Sequence, residues 1–258
     1  MLTRAKVALK APDASRRLSH FVLAKLLYSA PGAVRRSIFA GIQYHCPVCE
    51  TDLSRFLILH RSYHLWCPVC RSLQRHRLLW LFLVKTQIIS QGRPRRLLHF
   101  APEPCLTHRF AGMPHLDYVT ADLSDPFAML TMDITQITFP DNAFDVILCS
   151  HVLEHVSDDH GALRELYRVL RPAGQAVILV PITAAVTRED PSVTDPIERE
   201  KLFGQYDHVR RYGFDFGQRL KEAGFNTSAI SAEEIARPDE IARMGLTERE
   251  VIFLARKE

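Results

Sequence analysis

The sequence predicts an α/β chain: a doubly wound, mostly parallel sheet with helices on both faces, preceded by a small module built on paired cysteines. Three observations predict it. From residue 92 onward, strand-like and helix-like segments alternate. The strand-like segments are apolar along their length, as strands covered on both faces must be. Ahead of them, Cys-Pro-Val-Cys occurs twice, as Cys46 to Cys49 and Cys67 to Cys70.

A chain of 258 residues holds one sizeable domain and a small appendage. Residues 1–40 read as a basic arm. Arg4, Lys6, Lys10, Arg16, Arg17, Lys25, Arg35 and Arg36 face Asp13 alone, so the arm carries +7 of a whole-chain charge of +4 and the remainder carries −3. Such an arm touches nucleic acid, anionic lipid or an acidic partner, or is simply a solvated leader. Leu23, Leu26 and Leu27, then Val34, Ile38 and Phe39, predict two short amphipathic helices split by Pro31 and Gly32. They are expected to dock on the protein's own body, with peripheral membrane contact second. No segment approaches the ~20 apolar residues of a membrane span. The apolar run 21–28, cut by Lys25, lacks the core and cleavage site of a secretory leader.

Residues 41–73 hold the cysteine pairs, seventeen residues apart. Two tight turns at this spacing supply four soft ligands, Cys46, Cys49, Cys67 and Cys70, for a tetrahedral Zn²⁺. Four sulfurs leave no open position, so the ion is expected to be structural in this zinc ribbon. Cys105 and Cys149 remain as free thiols, and this usage indicates a reducing, cytoplasmic compartment. His60, Arg61, His64, Arg71, Arg75, His76 and Arg77 bind an anionic acceptor where exposed, or solvate the module. Residues 74–91, with His76, Leu79, Phe82 and Leu83 along one side, predict a linking helix.

Residues 92–258 form the main domain. Strands are predicted over 96–101, 117–122, 144–149 and 175–181, a helix over 159–170 ended by a turn at 171–174, a helix over 214–223, and strands over 225–231 and 250–255. Ligands of such sheets bind beyond the strands' carboxyl ends. Asp122, at the end of the second strand, stands where an acid accepts from ribose hydroxyls. Asp133 follows a short third strand. Either aspartate taken alone also fits a turn or cap.

Phe139-Pro140-Asp141-Asn142-Ala143-Phe144-Asp145-Val146-Ile147-Leu148-Cys149-Ser150-His151-Val152-Leu153-Glu154-His155-Val156 and Leu163-Arg164-Glu165-Leu166-Tyr167-Arg168-Val169-Leu170-Arg171-Pro172-Ala173-Gly174-Gln175 resemble the class I S-adenosylmethionine-dependent methyltransferases of the type 11 group. The resemblance covers about residues 95–258. It implies a seven-stranded Rossmann-like sheet and S-adenosylmethionine as cofactor. Asp122 would then hold the ribose, Asp133 the adenine amino group, and Ile134 with Leu123 would sandwich the ring. At the first loop the chain departs from the family's glycine-rich run. His99-Phe100-Ala101-Pro102-Glu103-Pro104 instead resembles a subgroup that also carries front Cys-Pro-x-Cys pairs. His99, Ala101, Pro102 and Glu103 are accordingly expected at the cofactor, with Glu103 toward its ammonium group and Pro104 opening a helix.

Methyl transfer needs alignment and, for a hydroxyl or amine, loss of a proton. Ser150 and His151 follow the fourth strand, with Ser150 expected at the cofactor and His151 as base or acceptor contact. Glu154 and His155 fit capping or packing. A polar stretch, 187–206, reads as a long loop and lid. After it, His208 is the second candidate base, and Arg210 or Arg211 would bind an anionic acceptor. The expected acceptor is a small molecule or a sugar-like hydroxyl, methylated on oxygen or nitrogen. The alternatives are RNA, recruited by the cysteine module and the arm, and a non-catalytic adaptor.

Overall fold

The computed structural model describes residues 30–58, 65–89, 94–247 and 250–258. The first predicted helix, His60, Arg61, His64 and the break at 91–93 lie outside the described residues.

Helix α1 (Gly32–Ile38) buries Arg35 but turns Val34 and Ile38 outward, so of the second predicted set, Val34, Ile38 and Phe39, Phe39 alone reaches the core. Strands β1 (Ala40–Cys46) and β2 (Thr51–Leu53) form a hairpin around the first cysteine pair. β3 (Leu57–Ile58) and β4 (Leu65–Trp66) lead into the second. Each knuckle closes with the residue after its second cysteine in left-handed conformation, Glu50 at φ 52° and Arg71 at φ 67°. The duplicated sequence therefore folds twice into the same turn.

Helix α2 (Gln74–Lys85) is shorter than the predicted 74–91. Gln87 turns to φ 58° and sends Ile88 and Ile89 into the core, which ends the helix. The main sheet follows: β5 (Arg95–Phe100), α3 (Pro104–Ala111), β6 (Leu116–Asp122), β7 (Leu130–Thr131), β8 (Phe144–Ser150), a 3-10 turn (Leu153–His155), α4 (Asp159–Val169) and β9 (Leu170–Leu179). The turn predicted at 171–174 lies inside β9 as a bulge. Ala173 takes φ 59° and donates to the Lys257 carbonyl at 2.9 Å, so the chain's end pins the bulge.

The stretch read as a long loop has its own structure: β10 (Ile182–Ala184), β11 (Arg188–Glu189), α5 (Pro196–Phe203) and β12 (Arg210–Gly213). The strands form a small sheet, β10-β12-β11. Helix α6 (Phe216–Glu222), β13 (Asn226–Ser231), α7 (Ala232–Ile235), α8 (Pro238–Met244) and β14 (Val251–Arg256) complete the fold.

The seven-stranded sheet has the order β13-β14-β9-β8-β5-β6-β7. β5 to β9 are parallel, and β14 runs antiparallel to both its neighbours. From β5 the chain moves first to one side, through β6 and β7, and then to the other, through β8 and β9. The crevice beyond the carboxyl ends of β5 and β8 is thus the switch point of the topology.

Alternate residues of the central strands feed opposite faces. Leu98, Ile147, Cys149 and Ile178 pack with α4 and α6. Leu97, Val146, Leu148 and Val177 pack with α2 and α3. The second core continues into Cys46, Val48, Leu53, Trp66 and Cys67. The cysteine module is therefore built onto one face of the sheet, as a segment of its size must be to bury apolar surface.

Candidate active site

The switch-point crevice is an open cavity of about 740 Å³. Ala101, Asp122, Leu123, Asp133, Ile134 and His151 of the expected residues line it. The other expected residues do not, and the reasons are local.

At the first loop, Ala101 takes φ 49° and donates to the Ala121 carbonyl, which turns the chain sharply out of β5. His99 is fully buried. Its Nδ1 lies 3.0 Å from the Tyr118 hydroxyl and its Nε2 2.9 Å from Glu103 Oε2. The His99–Glu103 pair therefore stands behind the loop and fixes it, and neither it nor Pro102 lines the cavity. Pro104 opens α3 as expected. Burial would raise the Glu103 carboxyl, but His99 and the nearby His76 hold it down at about 2. A carboxylate below its ordinary value stabilises the fold above that value and loses the contribution on acidification. A Glu103→Gln variant should be less stable than the parent at neutral pH. Measured as urea midpoints, the gap should close as pH falls from 4.5 toward 2.

Asp122 and Asp133 share one rim, tied together by the Met132 amide donating to the Asp122 carbonyl at 2.9 Å. Each aspartate combines the two roles open to it. Oδ1 of Asp122 accepts from the Ser124 and Asp125 amides, both at 2.7 Å. Oδ1 of Asp133 accepts from the Thr135 amide and hydroxyl, both at 2.8 Å. One carboxylate oxygen of each thus holds its own turn, and the second remains for a ligand. Ile134 and Met132, each 5% exposed, form an apolar floor between them, and Leu123, 67% exposed, overhangs it. Met132 was not anticipated; its only sequence signal is its place between β7 and Asp133.

At the end of β8, Ser150 is buried behind the cavity and its hydroxyl has no hydrogen-bond partner among the described residues. His151 takes φ 56°. Its Nδ1 lies 3.2 Å from Glu154 Oε1 and its Nε2 3.6 Å from Glu250 Oε2. Burial lowers the affinity of this imidazole for a proton, but the two carboxylates outweigh it and raise its pKa to about 9. A ring pushed in this direction suits the expected base poorly. Glu250 reaches it because β14 runs antiparallel, so its first residues meet the carboxyl ends of the parallel strands.

His208 lies outside the cavity lining. Its ring meets that of His155 edge-on at 4.7 Å, its Nδ1 is 3.3 Å from the Phe203 carbonyl, and burial pushes its pKa down. His155 and Asp207 do line the cavity. Arg210 does not offer its charge to an acceptor. It is 4% exposed, donates to the carbonyls of Leu153, Val156 and Ser157, and pairs with Glu189 at 2.8 Å. Arg211 is bound to Thr183. Of the side chains that looked like an acceptor clamp, Arg210 instead holds the small sheet against the 3-10 turn, and Arg211 ties β12 to β10 within that sheet.

In the cysteine module the four sulfurs lie within 4.8 Å of one another. Cys46 to Cys70 is 3.6 Å and Cys49 to Cys67 is 3.8 Å. Tetrahedral thiolates about 2.3 Å from zinc stand about 3.8 Å apart, so the set fits the ion. The Ser72 hydroxyl lies 3.3 Å from Cys46 Sγ and 3.2 Å from Cys70 Sγ, placed to support the ligands. Arg77, one of the possible anion binders in the sequence, is fully buried. Its guanidinium donates to the carbonyls of Leu65, Ser72, Met244 and Gly245. Its charge has no carboxylate partner in these bonds; burial disfavours it, and the nearby sulfurs of Cys46, Cys67 and Cys70 offset this in part.

Comparison with known proteins accords with this geometry. The family described as "Methyltransferase domain" matches residues 111–178. The demethylmenaquinone methyltransferase of Chlamydia trachomatis serovar D is 43% identical over 56 residues, 22% of this chain and 24% of that protein. The ubiquinone/menaquinone biosynthesis C-methyltransferase of Enterobacter sp. (strain 638) is 49% identical over 43 residues, 17% of each chain. The chain thus spans a quarter or less of the length of these relatives. Among solved structures, the CurJ carbon methyltransferase is similar in fold, with a TM-score of 0.50 at 15% identity over 69% of this chain and 53% of that one. The chain thus has the fold of these methyltransferases, and its residues 111–178 match their domain family.

Proposed function

We propose that this chain is an S-adenosylmethionine-dependent methyltransferase acting on a small-molecule or sugar-like acceptor at oxygen or nitrogen, with a structural zinc in its four-cysteine module. The observation that carries the reading is the pair Asp122 and Asp133, each with one uncommitted carboxylate oxygen, on either side of an apolar floor at the switch point. Ribose hydroxyls suit the first, an exocyclic amine the second, and a flat ring the floor of Ile134 and Met132 beneath Leu123. The sulfonium supplies an activated methyl group and its own leaving group. The chain's part is then to align an acceptor in the cavity and to exclude water. The curated relatives match over short segments, so they support methyl transfer and leave the acceptor to experiment.

Calorimetry with S-adenosylmethionine tests the cofactor reading. Asp122→Ala should weaken binding by roughly 10- to 100-fold, the value of a charge-assisted contact of about 1.5–3 kcal/mol. Asp122→Asn keeps an oxygen for the Ser124 and Asp125 amides and so separates loss of the turn from loss of the charge. Unchanged affinity in both variants would exclude the proposed ribose contact. Transfer of labelled methyl into fractionated extract then tests the acceptor: label in nucleic acid would favour RNA, and no label with no cofactor binding would favour an adaptor.

A further inference from the structure

We propose that Glu154, His155 and His208 form a second metal site, distinct from the cysteine cluster, that takes one divalent transition-metal ion at the edge of the active-site cavity. One ligand atom from each of the three lies within 4.8 Å of the others. They come from two elements: Glu154 and His155 from the 3-10 turn after β8, His208 from the segment entering β12. The Val209 amide donates to the Glu154 carbonyl at 2.9 Å and joins these segments directly beside the cluster.

The state of each donor points to a cation. Glu154 is 1% exposed, its Oε1 faces His151, and its Oε2 has no hydrogen-bond partner among the described residues. A buried carboxylate oxygen left in that condition is costly. The two imidazoles are each held by one nitrogen. His208 Nδ1 lies 3.3 Å from the Phe203 carbonyl, which only accepts, so the proton sits on Nδ1 and the lone pair on Nε2. His155 Nδ1 lies 3.3 Å from the Asp207 carboxylate, which favours the same tautomer. Histidines oriented by a carboxylate or carbonyl on one nitrogen are the usual form of metal-bound histidine. A water has two protons and would satisfy at most two of these three acceptors; one divalent ion satisfies the carboxylate and both lone pairs.

Two imidazoles and one carboxylate select zinc or a neighbouring transition metal over magnesium or calcium. Three protein ligands leave positions open. His155 and Asp207 line the cavity, so the site borders it. There a hydroxyl or carboxylate oxygen of an acceptor can ligate the ion and be polarised. This last step rests on the methyl-transfer reading; the ion site itself does not.

Zinc content of the full chain, dialysed against zinc and then buffer, is the test. The wild type should retain about two ions per chain. His155→Asn and His208→Asn should each retain about one, the ion held by the cysteines, which also reports that the fold is intact. Asp207→Asn should weaken the lost site by about 10- to 100-fold. One ion per chain in the wild type, or no difference between wild type and both histidine variants, would overturn the proposal. S-adenosylmethionine binding measured on the same samples shows separately whether the cofactor reading stands.

Discussion

Stripping zinc from the chain, or replacing Cys49 with Ser, should collapse more than the module that holds the ion. Apparent free energies of zinc binding to such cysteine sets are about 10–16 kcal/mol, comparable to the whole stability of a domain. Here the loss propagates, because Cys46, Val48, Leu53, Trp66 and Cys67 share one core with Leu97, Val146 and Leu148 of the sheet. Both tryptophans, Trp66 at 5% and Trp80 at 4% exposure, lie in that core. Chelation should therefore shift tryptophan emission to the red and lower the melting temperature of the entire chain in one transition. A metal-free protein with unchanged emission and melting would mean that the cysteines do not hold the module together.

Arg77→Ala should be strongly destabilising, because each buried acceptor left without its donor costs about 1–3 kcal/mol. Its guanidinium reaches Met244 at 2.7 Å, Gly245 at 2.6 Å, Ser72 at 2.8 Å and Leu65 at 3.2 Å, and it lies 4.1 Å over the Phe56 ring. Removal leaves four carbonyls without this donor and a cavity between the module and the turn after α8. That turn depends on Gly245, at φ 55°, where a Cβ would meet the Phe56 ring at 2.8 Å. Arg77→Lys should rescue little, because one compact ammonium cannot span the same acceptors. Urea denaturation of both variants checks this; a midpoint for Arg77→Lys equal to the parent's would show that charge alone suffices.

Much of the domain was legible because its signals are local. The apolar runs that became β5, β6, β8 and β9 need both faces covered whatever surrounds them, and the two Cys-Pro-Val-Cys turns specify the same geometry twice. Asp122 ends β6 and Asp133 comes two residues after β7, so their position on the rim comes with the strand ends. The 171–174 turn misled for a nonlocal reason: Lys257, at the far end of the chain, pairs with it and draws it into β9.

By itself the sequence determined the α/β class, the strand ends that carry the two aspartates and the four sulfurs gathered by two turns. Only the tertiary structure decided what the charged side chains near them do. His99 turned inward to Glu103, His151 gained Glu250 from an antiparallel strand distant in sequence, and Arg210 was consumed by backbone carbonyls of the 3-10 turn. Periodicity places a backbone and an apolar face. The protonation and partners of a buried polar group depend instead on which remote atoms packing brings within about 3 Å, since in a low-dielectric interior such a group must find a partner.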